Sequence, residues 1–275
     1  TSKMVSKLYN KSSNKNFKHN IKFNNEEQNY IQQIQKKGFI TVATRNSSVT
    51  YFKKKDGNIS GFVYHIMKDF GHYLGVNVNF KIVPFSEYFT KDGVFQKRIL
   101  TDLNYSYTPD LIRKVDFIAD ELTIVPWRER LFRFIKIFLT KDVFISRKGE
   151  EIKNINEVMN KTIAIVPNSS FITTLQKLEK TTAKQFKYLY VEKFIDTYKA
   201  VSERKADLLV DDSNAVGATL KSFPDLNYCI SISEKKYIGW AVKKDNKILA
   251  AILHKYLHYA HETGTFAKHW SDTFG

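Results

Sequence analysis

Strand-like and helix-like segments alternate along nearly all of this 275-residue chain, which predicts an α/β fold on mixed, mostly parallel sheets. Three observations carry that prediction. Short β-branched apolar runs recur between segments whose apolar residues fall at helical spacing. Short polar stretches holding Gly, Asn and Asp join them. Hydrophobic residues make up 43% of the chain, which supplies a core and argues against wholesale disorder.

Residues 1–25 are polar, rich in Lys, Asn and Ser, and aperiodic, so they read as a flexible leader or tether. A short helix follows in EEQNYIQQIQKKG, stopped by Gly38. FITVATRN alternates and is a strand, and KKKDGNISG is a turn. In FVYHIMKDFGHYLG, the residues Phe62, Ile66 and Phe70, flanked by Val63, Met67 and Leu74, fall at helical spacing. VNVNFKIVP is the next strand, completing the strand–helix–strand unit of a parallel sheet. Residues 86–108 are polar and Tyr-rich, with one amphipathic patch over 94–103. VDFIADELTIV reads as one or two short strands. Downstream, DVFIS, TIAIV, YLYV, DLLVD and IGWAV read as strands. INEVMN, SFITTLQKLEK, EKFIDTYKAVSERK and SNAVGATLKS read as helices between them. A last helix over 247–262 places Leu249, Ile252, Leu253, Tyr256, Leu257 and Ala260 on one face.

Charge and composition narrow the function. The net charge is +16, from 44 basic and 28 acidic residues, but the excess is Lys scattered along the chain. No Arg-rich helix, zinc-finger spacing or aromatic RNA-binding signature accompanies it, so nucleic acid is not the expected partner. Attraction to anionic lipid or wall polymer suits the charge better. Cys229 is the only cysteine, which excludes an intrachain disulfide and a Cys zinc site. No apolar run reaches the roughly 18 residues of a membrane span. The start at Thr1 fits removal of a targeting segment.

Enzyme signatures are absent: no GxSxG, Walker loop, GxGxxG or HExxH occurs. The neighbours Asp211 and Asp212 sit on a predicted strand, where adjacent side chains point to opposite faces, a poor acid/base pair. His254, His258 and His261 share a helix flank at i, i+4 and i+7, but nothing in sequence completes a metal set. No catalytic residue, metal or cofactor is expected.

Four pieces in order carry a more specific signal. They are GFITVATRNSSVTYF with its following turn, helix and strand; VDFIADELTIVPWRERLFRFIKIF; KTIAIVPNSSFITTL; and ERKADLLVDDSNAV followed by YIGWAVKKDN, a helix and GTFAKHWSDTFG. Their order resembles the family 3 extracellular solute-binding proteins, which have the two-lobed type 2 periplasmic-binding fold. The opening EEQNYIQQIQKKGFITVATRNSSVTYF looks most like the solute-binding-like module of the membrane-bound lytic murein transglycosylases F.

The resemblance implies two α/β lobes joined by two hinge crossings, the first lobe over 26–135 plus 237–275 and the second over 136–236. It implies that Arg128, after Thr123 in LTIVPWR, holds a ligand carboxylate through its planar fork of donors. Ser169 and Ser170 would add donors at a helix start. Asp212 would take an ammonium, and Tyr51 and Phe85 would wall the pocket. Glu121 stands where many family members have Gly, so it would be a second carboxylate there or a partner that blocks Arg128. The expected function is non-catalytic binding or sensing of an amino acid or short peptide-like solute by lobe closure. The setting would be the periplasm or the outer face of the membrane, for a monomer tethered through its N-terminus and serving a permease, receptor or peptidoglycan partner. The alternative is a ligand-free regulatory or wall-docking module without a catalytic domain.

Overall fold

The computed structural model describes residues 22–275. Most of the leader expected over 1–25 lies outside these residues. At its far end Asn24 already caps helix α1, Asn25–Lys37, through a reciprocal capping box with Glu27. Gly38, at φ 81°, closes the helix in the left-handed conformation that glycine adopts without steric cost.

Two five-stranded sheets organise the rest. The first holds β1 (Phe39–Thr44), β2 (Asn77–Ile82), β3 (Phe117–Thr123), β4 (Phe132–Thr140) and β10 (Lys236–Lys243), in the order β2-β1-β3-β10-β4. The second holds β5 (Asp142–Arg147), β6 (Thr162–Ile165), β7 (Lys187–Tyr190), β8 (Leu208–Asp212) and β9 (Leu226–Ser231), in the order β7-β6-β8-β5-β9. The topologies match. Three parallel strands are followed by one antiparallel strand, β10 or β5, and then by a strand of the original direction.

In the first lobe, helix α2 (Phe62–Leu74) and helix α7 (Lys247–Glu262) pack on one sheet face. The predicted stripe of α7 is buried there with Phe62, Ile66 and Phe70, and the Tyr256 hydroxyl donates to the Ile66 carbonyl at 2.7 Å. Each such buried apolar side chain contributes about 1.5–3 kcal/mol relative to exposure. Gly61 makes the docking of α2 possible. Its φ is +126°, and a Cβ there would lie 2.3 Å from the Thr50 carbonyl oxygen. With glycine, the Phe62 and Tyr64 amides reach the Val49 and Thr50 carbonyls at 2.7 and 3.0 Å.

The segment 86–108 covers the other face. It folds as a small hairpin, Thr90–Lys91 against Val94–Phe95, and a 3-10 turn, Lys97–Leu100. Tyr88, Phe89 and Ile99 are buried in it, beside Trp127. That packing explains the Tyr-rich sequence: the segment is a cap over the sheet.

Helix α3 (Pro126–Leu131), helix α8 (Thr265–Phe274) and strands β4 and β9 were not separately predicted. The first sheet also extends to Thr140, not to residue 135, and resumes at Lys236, which pairs with Thr140. The physical reason is that Ile137, Phe138 and Ile238 still pack in the first lobe. The chain therefore crosses between sheets at Lys141 and over 232–235. Helices α4 (Ser170–Thr182), α5 (Phe194–Ser202) and α6 (Ser213–Leu220) complete the second lobe.

Candidate ligand-binding cleft

A cavity of about 570 Å³ lies between the two lobes. Its walls are the C-terminal ends of parallel strands and the turns after them, where open α/β sheets bind ligands. From the first lobe come Arg45 and the turn after β1, Phe85 after β2, and Glu121, Thr123 and Arg128 from the end of β3 and from α3. From the second come Ser169 and Ser170 after β6, Phe194 after β7, and Asp211 and Asp212 at the end of β8. The exposed residues Ile82, Glu192, Lys193 and Ile195 mark the mouth.

Arg128 is only 2% exposed. Its Nη1 donates to the Thr123 carbonyl at 3.0 Å and its Nη2 crosses the cleft to the Asn168 carbonyl at 3.2 Å. Its Nε has no hydrogen-bond partner. The guanidinium lies 4.8 Å from the Phe89 ring centroid and 5.1 Å from that of Trp127, so the cap formed by 86–108 is its floor. Burial, with Arg45 nearby, brings Arg128 down to about 9. No carboxylate among the described residues forms an ion pair with it. The group is a buried cation with open donors.

Across the cleft, Ser170 Oγ donates to Thr123 Oγ1 at 2.9 Å. Ser169 is the N-cap residue of α4, yet its hydroxyl makes no cap bond and is buried without a partner. The first amides of α4 have no acceptor within the helix, and its dipole favours an anion at that end.

The opposite character gathers at Glu121 and Asp212. Glu121 accepts from Asn214 Nδ2 at 3.1 Å, another bond between the lobes, and does not pair with Arg128. Burial, reinforced by Asp120 and Asp211 against the opposing pull of Arg45 and Asn214, pushes Glu121 up to about 8. Asp212 is the N-cap residue of α6 but its side chain makes no cap bond, and its Oδ1 is buried without a partner. Burial, Asp142 and Asp211 hold it well above the usual carboxylate range. Asp211 accepts from the Tyr198 hydroxyl at 2.6 Å. Both Asp211 and Asp212 line the cavity, contrary to the expectation from strand alternation. The strand ends at Asp212 and turns directly into α6, so the alternation stops there.

The cavity thus brings together Phe85, Glu121, Thr123, Arg128, Ser169, Ser170 and Asp212. Tyr51 is not among its lining residues. The chain bends back at the Ser47–Tyr51 bridge, and the Tyr51 ring packs on Tyr64 and Phe80, 5.6 and 5.3 Å between centroids. Sequence reasoning missed Arg45, Phe194 and Asn214. Arg45 carried a readable signal, since it directly follows a strand of a parallel sheet. Its Nε lies 3.4 Å from Asp120 Oδ1, and Asp120 in turn accepts from the Tyr88 hydroxyl. The histidines on α7 do not converge: His258 pairs with Glu262 at 3.3 Å and His261 stacks on Phe266. No group of three or more metal-ligating side chains occurs among the described residues.

A buried guanidinium without a carboxylate partner and a carboxylate cluster thus line one cavity between two lobes of matched topology. Solved structures share this architecture. The P235GK mutant of ArgBP from T. maritima superimposes with a TM-score of 0.70 at 22% identity, covering 89% of this chain and 98% of that one. The solute receptor for L-cysteine of Neisseria gonorrhoeae gives 0.71 at 18%, covering 88% and 92%. The fold is the two-lobed type 2 periplasmic-binding fold. An ancestral amino-acid-binding protein, a precursor of cyclohexadienyl dehydratase, shares this periplasmic-binding fold with a TM-score of 0.71 at 20% identity, covering 90% of this chain and 100% of that one.

Among curated proteins, the chain is similar to membrane-bound lytic murein transglycosylase F of Alcanivorax borkumensis. The two are 26% identical over 245 residues, covering 86% of this chain and 48% of the relative. The counterpart in Pseudomonas fluorescens is 23% identical over 248 residues, covering 88% and 47%. The chain spans about half the length of these relatives. No protein-family model matches it.

Proposed function

We propose that this chain binds a small amino-acid or short peptide-like solute by closure of its two lobes, and that it is not itself a catalyst. One observation carries the reading. The cavity wall holds buried polar atoms of both characters without partners, Arg128 Nε from the first lobe and Ser169 Oγ and Asp212 Oδ1 from the second. Leaving a buried polar group unpaired costs about 1–3 kcal/mol, so a ligand that satisfies several of them is bound strongly.

In this reading the ligand carboxylate lies on Arg128 and the amide end of α4, and its ammonium on Asp212. Groups from both lobes are needed at once, so ligand favours the closed form by its differential affinity for it. The amino-acid ligands named for the neighbours of this fold, and the bonds already made between the lobes, support the same conclusion. The proposed setting is the periplasm or the outer face of the membrane, as a monomer. A permease, receptor or peptidoglycan-associated protein is the proposed partner, and the residues of this chain are proposed to cleave no glycan.

Thermal-shift and calorimetric screens with amino acids, short peptides and peptidoglycan stem-peptide fragments test this. A ligand that raises the melting temperature, and loses that effect in Arg128→Ala, is the expected result. No stabilisation by any of them overturns solute binding, and turnover of peptidoglycan by the purified chain overturns the non-catalytic reading.

A further inference from the structure

The cleft holds more acid than a single zwitterion needs. Glu121, Asp211 and Asp212 line it, and Asp120 is buried behind Arg45. The cations around it are Arg45 and Arg128, with Lys193 exposed at the mouth. Asp142, nearby, is answered separately by Lys236.

Arg45 is already engaged, with its Nε 3.4 Å from Asp120. Arg128 has no carboxylate partner and stands open for the carboxylate of a ligand. One α-ammonium then answers one of the three inner carboxylates and leaves two, besides Glu192 at the mouth. The acceptors that remain are buried: Asp212 Oδ1 and Asn214 Oδ1 have no partner. Burial first, and neighbouring carboxylates after it, hold Glu121, Asp211 and Asp212 above the usual carboxylate range, so without a further cation the cluster favours keeping protons. A second positive charge would instead turn mutual repulsion into attraction. The same space offers aromatic faces, Phe85, Phe171 and Phe194, against which the stem of a long cationic side chain packs.

Resting on the reading of the cleft as an amino-acid site, we propose that it selects ligands whose side chain carries a second cationic group, seated against Glu121 and Asp211. The ligand class is that of the diamino and guanidino amino acids, and net positive charge is the feature recognised.

Calorimetric titration of the full chain compares L-lysine, L-ornithine and L-arginine with L-leucine, L-glutamate and L-citrulline. Citrulline matches arginine in shape and lacks its charge. The cationic ligands are expected to bind at least about tenfold more tightly than citrulline or leucine, the effect of one charge-assisted hydrogen bond. Glu121→Gln is expected to remove most of that preference while leaving leucine affinity within about threefold. Asp211→Asn provides the same comparison if the first variant does not fold. Citrulline or leucine binding as tightly as arginine overturns cation selection and leaves solute binding standing. An undiminished preference for arginine in both variants overturns the assignment to these carboxylates. Silence from all six amino acids and from short peptides overturns solute binding itself.

Discussion

Phe194 of the second lobe stands edge-on to Phe85 of the first, ring centroids 5.1 Å apart, with the Arg45 guanidinium 4.6 Å from the Phe194 centroid and 5.8 Å from that of Phe85. This clasp joins the lobes without a ligand. An aromatic pair contributes about 0.5–1.5 kcal/mol and a desolvated cation–π contact about as much or more. Phe194→Ala is therefore expected to shift the ligand-free protein toward an open form, seen as a larger radius of gyration by small-angle X-ray scattering. An unchanged profile would show that the clasp does not hold the lobes.

Glu121 sets a pH dependence with a definite sign. Its ordinary value is 4.5, and burial first, then Asp120 and Asp211, raise it to about 8 in the fold. Between those values the folded state keeps a proton that the unfolded chain releases, so stability is lost as pH rises through that window. Glu121→Gln should flatten that loss, by more than about 1.4 kcal/mol, the equivalent of one pKa unit. Urea unfolding of the ligand-free protein at pH 5 and pH 8.5 measures it. A variant with the same pH slope as the parent would contradict it.

Arg128 separates ligand affinity from fold stability. Two charge-assisted bonds to a carboxylate contribute about 1.5–3 kcal/mol each, so Arg128→Met should cost the proposed ligand about a hundredfold or more in affinity. The same change removes a buried cation that has no carboxylate partner. The ligand-free melting temperature is expected to hold or rise, and a large fall would show that the arginine is mainly structural.

At the hinge, Asp142 is fully buried and accepts from both Lys236 and Thr174. Removing one partner of a buried pair leaves an uncompensated charge and costs about 3–5 kcal/mol. Lys236→Met should lower stability by that order in chemical denaturation. The double change with Asp142→Asn should recover most of it, and additive losses would argue against the pairing.

The fold was legible because each lobe repeats apolar strands separated by amphipathic helices, and because Thr123, Arg128, Ser169 and Asp212 sit at fixed places in that order. β4 was obscured because WRERLFRFIKIF has no turn residue where α3 gives way to the strand. The place of Arg45 after a strand was readable, but its contact with Phe194 was hidden for a different reason. The two meet only when the lobes close, and no local pattern encodes a contact between chain segments so far apart. Tyr51 failed as a wall because the bend after β1 is set by the Ser47, Thr50 and Gly61 contacts, which strand and helix periods do not report.

The pairing of Thr140 with Lys236 also has a topological meaning. The strand that leaves the first sheet and the strand that returns are ladder partners, so their Cα atoms stand roughly 5 Å apart. The second lobe is thus an insertion whose two ends meet at a single rung. A tight turn joining Thr140 to Lys236 would close that gap and leave the first sheet's strand order intact. As in a door hung on one post, both crossings leave the first sheet side by side, so the second lobe turns by bending and twisting of the short segments beyond that rung while the β4–β10 ladder stays intact.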